Sequence, residues 1–118
     1  MPIYKKASTL VPNDPDVHLN LANCYLLSDA GADAIREVDK VLSIEPNSAA
    51  AYFVKGSAHL RLLNPEESVK ALENSKKIDP GVTATYFQLG MARMGLQQWD
   101  EAIAAFQEGI RLEPNRLH

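Results

Sequence analysis

The chain has 118 residues, enough for one domain with a hydrophobic core, and 46% of them are hydrophobic, as in ordinary folded proteins. The formal net charge of −3 argues against a nucleic-acid partner, and no apolar run reaches the roughly 18 residues that a membrane span requires. The single cysteine excludes an internal disulfide and any cysteine-rich metal site.

The first residues of the chain bear on its location. Lys5 and Lys6 are not followed by the apolar stretch that a signal peptide contains. We therefore expect a cytoplasmic protein, and a periplasmic location stays open if a signal has been removed.

Four prolines divide the chain at a constant interval of 34 residues. Pro12, Pro46, Pro80 and Pro114 each stand two residues after an apolar residue and directly before asparagine or glycine. Proline lacks an N–H group and pushes the preceding residue out of helical geometry, so each of these phrases predicts the end of a helix. A constant period of this length indicates a repeat protein.

In chain order, the pattern predicts a leading segment, three units of two helices each, and a short tail. In the first unit, Val17, Leu21 and Tyr25 recur at helical spacing, and Val38 and Leu42 do so after a break. Breaks rich in Gly, Asn or Pro separate the two helices of each unit. The boundaries are 1–14 for the leading segment, 15–48, 49–82 and 83–116 for the units, and 117–118 for the tail.

Small and large residues recur at fixed positions of these units. The eighth and twentieth positions are small, the twenty-fourth is large and apolar, and the thirty-second is proline. This arrangement resembles the tetratricopeptide repeat (TPR) family, in which small residues let the helices pack closely. The resemblance implies an all-α, right-handed α-solenoid of antiparallel helix pairs with about seven helices. The matching residues are Ala22, Gly56 and Gly90; Ala34, Ser68 and Ala102; Val38, Leu72 and Phe106; and Pro46, Pro80 and Pro114.

The two ends of the chain suggest that the repeat array is longer than this sequence. Counted back from Pro12, Tyr4 and Ala7 fall on the twenty-fourth and twenty-seventh TPR positions, so residues 1–14 look like the second helix of a truncated preceding repeat. Only Leu117 and His118 follow the last unit. Because a solenoid normally ends in capping elements with a polar outer face, we expect the chain to be a piece of a longer array.

Residues that often carry chemistry occupy packing positions of the repeat. Cys24 stands where the other units have Ala58 and Ala92, which predicts a small buried filler. His18 and His59 stand where other units have tyrosine, which predicts packing in place of an aromatic ring. Neither these residues nor any acidic pair has the spacing of a metal or acid–base site. We therefore predict no catalytic, cofactor or metal site, and no enzymatic activity.

The resemblance also implies a groove. In TPR arrays the first helix of each repeat lines a concave surface, and the fifth position of each unit is large and apolar here. Exposed apolar residues in a concavity mark a contact site, and aromatic anchors often dominate binding. Phe53 and Phe87 are the expected anchors, and side-chain amides are expected to hold a peptide backbone. The predicted groove residues are Leu19, Asn20, Asn23, Phe53, Val54, Ser57, Arg61, Phe87, Gln88 and Met91.

One family subgroup binds the acidic tails of chaperones. Its members clamp a C-terminal carboxylate with two lysines, two asparagines and an arginine, and only one of the five positions matches here. Without the cations nothing offsets the desolvation of a carboxylate, which predicts that this chain is not a receptor of that kind. The five positions hold Leu19, Asn23, Val54, Ala84 and Gln88.

Three functions stay open on the sequence alone. The first is a protein-interaction module, or adaptor, that binds an apolar peptide segment, extended or helical, or a partner protein in its groove. The second is a self-assembling scaffold whose uncapped ends pack against another copy. The third is a non-catalytic domain of a larger enzyme or secretion component.

Overall fold

The computed structural model describes residues 14–112, which form six helices and no strand. Residues 1–13 and 113–118 lie outside the described residues, and with them the predicted leading helix, Pro12, Pro114 and the tail at 117–118. The helices are α1 (Pro15–Leu27), α2 (Gly31–Ile44), α3 (Ala49–Arg61), α4 (Pro65–Ile78), α5 (Thr83–Gly95) and α6 (Trp99–Leu112).

Local sequence explains where these helices begin. The Asp14 carboxylate accepts a hydrogen bond from the N–H of Asp16, and the Ser48 hydroxyl accepts one from the N–H of Ala51. Pro15 and Pro65 stand at helix starts, where a missing N–H costs nothing.

The turn inside each helix pair uses a left-handed residue. Asp29, Leu63 and Gln97 have φ values of 64°, 62° and 60°, and they lie 34 residues apart, just after α1, α3 and α5. A residue in this conformation lets the chain reverse sharply after a helix, and glycine or asparagine is the usual choice. Leu63 is therefore held in a conformation that leucine rarely adopts, and its side chain is 85% exposed.

The six helices form a curved array. Each helix packs against the next one along the chain. The first helices α1, α3 and α5 also contact one another in sequence, whereas the described second helices α2, α4 and α6 do not contact one another. Helices that approach more closely lie on the inner side of a curve, so α1, α3 and α5 form the concave face. The predicted all-helical solenoid is confirmed.

Glycines at the helix crossings explain how closely these helices pack. A methyl group on Gly56 would lie 2.5 Å from Leu72 Cγ, and one on Gly90 would lie 2.8 Å from two ring carbons of Phe106. Large side chains of the second helices therefore occupy the space that these glycines leave. Leu72 is completely buried at the centre of a core cluster with Leu89, Ala92 and Ala105.

Within residues 14–112, none of the helices combines the length and the apolar character that a membrane crossing requires.

Candidate partner-binding groove

Two cavities open on the concave face, one on each side of Phe53. The first, of about 320 Å³, lies between α1, the start of α3, the end of α4 and the start of α5. The second, of about 480 Å³, lies between α1, α3 and α5. The first is lined by Leu19, Asn23, Ala49, Ala50, Phe53, Val54, Ser75, Asp79, Val82 and Thr85, and the second by Leu26, Phe53, Ser57, Leu60, Arg61, Gln88 and Met91.

Phe53 is the side chain that the two cavities share. It is half-buried, because one part of the ring packs against the core cluster around Leu72 and the rest stays accessible. A ring fixed in this way exposes apolar surface at a small cost in side-chain entropy, which suits it as an anchor for a ligand.

Polar groups stand around this apolar centre. The exposed Asn23 amide lines the first cavity, and the half-buried Gln88 amide lines the second. Arg61 is the cation among the second cavity's lining residues, and its nearest carboxylate is that of Asp29, 3.9 Å away. The groove therefore combines apolar walls, amides and one weakly paired guanidinium group.

One residue lining each cavity has a buried hydroxyl group without a hydrogen-bond partner among the described residues. The two groups are Ser57 Oγ at the second cavity and Thr85 Oγ1 at the first, and both residues are buried. A buried polar group without a partner costs free energy, so such groups call for an explanation in a folded protein.

The structure brings most of the predicted groove residues together. Eight of the ten line the two cavities, and Asn20 and Phe87 line neither. Val54 and Ser57 are buried, while Asn20, Asn23, Arg61 and Met91 are exposed. Contact of these residues with a ligand stays a prediction.

Phe87 differs from Phe53 in its surroundings. Its ring packs against Phe106 of α6, with the ring centroids 6.4 Å apart and the planes inclined by 31°. It also covers Gly109, where an added methyl group would lie 2.6 Å from the ring. At the position of Gly109, the second unit has Ser75, whose hydroxyl donates to the Ala49 carbonyl. The two anchors expected from the sequence therefore differ, because Phe53 lines both cavities whereas Phe87 packs against α6. The glycine at position 109 is the sequence feature that could have indicated this packing.

Eight cavity residues were absent from the predicted groove, namely Ala49, Ala50, Ser75, Asp79, Val82 and Thr85 in the first cavity and Leu26 and Leu60 in the second. Val82 and Thr85 stand at the start of α5 and complete the first cavity. Phe53 and Val82 belong to the second unit and Thr85 to the third, so the first cavity is built across a repeat boundary. The family positions from which the groove was predicted did not include these two residues.

A buried side-chain hydrogen bond joins α1 to α2 away from these cavities. His18 Nδ1 lies 2.7 Å from Glu37 Oε1, and Lys40 Nζ lies 3.0 Å from Glu37 Oε2. Burial raises the pKa of Glu37, but the hydrogen bonds from His18 and Lys40 outweigh it, so the pKa is lowered overall. His18 is buried as expected, whereas Cys24 is only partly buried.

His59 has a different environment. Burial lowers its pKa, and its Nδ1 has no hydrogen-bond partner among the described residues. Within residues 14–112, no three His, Cys, Asp or Glu side chains stand close enough together to hold a metal ion.

The comparisons with known proteins agree with this architecture. Models of the tetratricopeptide repeat match residues 1–57, 49–81 and 83–116. The chain belongs to the tetratricopeptide repeat family. Repeats of this family are generally non-catalytic modules for protein interaction, and this chain has their fold. No curated protein sequence matches the chain.

Several solved structures share the fold. A MamA crystal structure is 26% identical with a TM-score of 0.89, over 97% of this chain and 67% of that one. MamA from Desulfovibrio magneticus RS-1 is 26% identical with a TM-score of 0.86, over 94% of this chain and 63% of that one. This chain therefore spans about two thirds of the MamA structures it matches.

A further similar structure has a ligand. The first TPR domain of Spaghetti (RPAP3) was solved with the HSP90 peptide SRMEEVD. It is 24% identical to this chain with a TM-score of 0.83, over 86% of this chain and 81% of that one. At that identity the likeness supports the fold alone.

Proposed function

We propose that the concave groove binds an apolar peptide segment of a partner protein, with Phe53 as its central anchor. The observation that carries the proposal is the position of the Phe53 ring between two open cavities. Their volumes of about 320 and 480 Å³ lie within the roughly 300–1,000 Å³ typical of ligand sites. One apolar side chain of the peptide enters each cavity, and the peptide crosses the ring between them.

Amide side chains hold the backbone of the peptide in this arrangement. Asn23 and Gln88 stand on opposite sides of Phe53, and each amide both donates and accepts hydrogen bonds. Such contacts fix the position of a peptide without selecting its side chains. The apolar cavities then provide the selectivity.

The same groove argues against an acidic C-terminal tail as the ligand. At the clamp positions, Leu19 is apolar, Val54 is buried and Ala84 has no charge. A carboxylate placed there would lose its hydration without gaining an ion pair. We therefore propose that the ligand is an internal apolar segment.

A displayed library of random peptides tests the groove directly and needs no purified partner protein. Ala50 is exposed and lines the first cavity, so Ala50→Arg blocks the groove without disturbing the core. The matched control is Ala104→Arg on α6, which lines a separate, charged cavity between α4, α5 and α6. We expect wild type and Ala104→Arg to select the same peptides, each with two apolar residues, and Ala50→Arg to select none of them.

The opposite pattern would place the ligand elsewhere. If Ala50→Arg still selects the wild-type peptides, the groove is not the binding site. If only Ala104→Arg loses them, the ligand lies in the cavity between α4, α5 and α6.

The peptide SRMEEVD tests the exclusion of acidic tails by calorimetric titration. We expect no measurable binding to wild type. A dissociation constant of about 10 µM or tighter, roughly −7 kcal/mol, would contradict the exclusion and leave the groove itself in place.

A further inference from the structure

The last described helix carries an apolar stripe that no described residue covers. Trp99, Ile103 and Ile110 of α6 are 56%, 53% and 54% exposed, and Met94 of the adjacent α5 is 47% exposed. Trp99 and Ile110 are eleven residues apart, which is close to three helical turns, so the stripe runs along one side of α6.

Equivalent positions in the earlier units are covered. Ile35 of α2, two periods before Ile103, packs against the first core cluster, as does Leu42, two periods before Ile110. Val69 of α4, one period before Ile103, packs against the second cluster. Both clusters include residues of the following unit, so these apolar positions lie near the contacts between units, and the stripe occupies the same positions on α6.

Exposed charges beside the stripe indicate what covers it. Asp100 stands at the start of α6 and Arg111 near its end, also eleven residues apart, so both lie on the same side of the stripe. Arg111 donates from Nε and Nη2 to Glu108 in the same helix, and Nη1 has no partner among the described residues. One end of the stripe is thus acidic and the other has a guanidinium donor.

We propose that a second copy of the chain covers this stripe, with the two α6 helices antiparallel about a two-fold axis. This symmetry places Arg111 of each copy beside Asp100 of the other and packs the two stripes together. A parallel pair would place like charges side by side, whereas the antiparallel pair also opposes the helix dipoles favourably. The dimer uses the exposed stripe of α6 and does not depend on the groove.

Sedimentation of the whole chain over a wide concentration range tests this dimer. We expect a monomer–dimer equilibrium with a dissociation constant of roughly 10 µM, a level suited to a small interface. Ile103→Glu should raise that constant more than about tenfold. The matched control is Leu27→Glu, since Leu27 is 80% exposed on α1, and it should leave the equilibrium unchanged.

A charge exchange tests the antiparallel geometry itself. Arg111→Asp alone should weaken the dimer, and Asp100→Arg added to the same chain should restore it, because each copy then supplies both exchanged charges. A chain that stays monomeric at every concentration would overturn the proposal. So would a dimer that Ile103→Glu leaves intact, growth beyond a dimer, or a charge exchange that fails to restore it.

Discussion

The first and third helix pairs have the same backbone arrangement, but different chemistry joins their helices. Between α1 and α2, the buried His18 Nδ1 donates to the buried Glu37 carboxylate. Between α5 and α6, the Phe87 and Phe106 rings lie over two glycines. The period therefore determines the path of the backbone, whereas the side chains that pack between the two helices differ from pair to pair.

Matched side-chain volumes explain why the helix pairs can differ in sequence and keep the same fold. Val38 occurs in the unit with Ala22, whereas Leu72 and Phe106 occur in units with glycine at that position. A larger residue on the second helix is thus matched by a smaller one on the first. Close-packed interiors require such compensation, because there is no free space to absorb an added methyl group.

The largest expected effect is in the third pair. Phe106→Ala should reduce the free energy of unfolding by about 3 kcal/mol, since it empties the space above Gly90. Adding Gly90→Ala should recover part of that loss, because the new methyl group no longer meets a ring. Chemical denaturation of both single variants and the double variant measures the coupling. Additive losses would contradict the volume compensation.

A smaller, pH-dependent effect is expected in the first pair. Glu37→Gln removes a charged acceptor for His18 and Lys40 and should cost about 1.5 kcal/mol at neutral pH. The folded pKa of Glu37 lies below the ordinary 4.5, so its contribution is present above pH 4.5 and is lost as pH falls below it.

Thermal unfolding of wild type and Glu37→Gln between neutral and acid pH should therefore show a difference that shrinks below pH 4.5. Glu66→Gln, on the exposed surface of α4, is the control and should match wild type at neutral pH. A difference that does not shrink below pH 4.5 would mean that the Glu37 carboxylate does not stabilise the helix pair.

The smallest expected effect is an increase in stability from a substitution in the turn between α3 and α4. Leu63→Gly should raise the free energy of unfolding by about 1 kcal/mol, because glycine adopts the left-handed conformation without strain. The neighbouring Leu62 has an ordinary φ of −85° and packs near Gly31, so Leu62→Gly should destabilise the protein. If both variants raise the free energy of unfolding, the left-handed conformation of Leu63 is not the cause of the stabilisation.

The backbone was predictable because its signals are local. The prolines after α2 and α4, and Pro65 at the start of α4, act within one or two residues of a helix end. The same period predicted which helices pair and which positions are small. The position of the groove followed from the family resemblance.

The details of the interior were not predictable from single positions. The His18–Glu37 contact joins residues 19 apart on different helices, and nothing local indicates it. The packing of Phe87 depends on Gly109, one helix further along. The His18–Glu37 contact and the packing of Phe87 both depend on how two helices face each other, so tertiary contacts determine them.

Phe53, unlike Phe106, is proposed to face the ligand. The chain has three phenylalanines, so para-fluorophenylalanine gives three fluorine NMR signals, which single Phe→Leu variants assign. Titration with a peptide selected on wild type should shift the Phe53 signal and leave the Phe106 signal in place. A bound peptide that leaves the Phe53 signal unshifted would contradict the account.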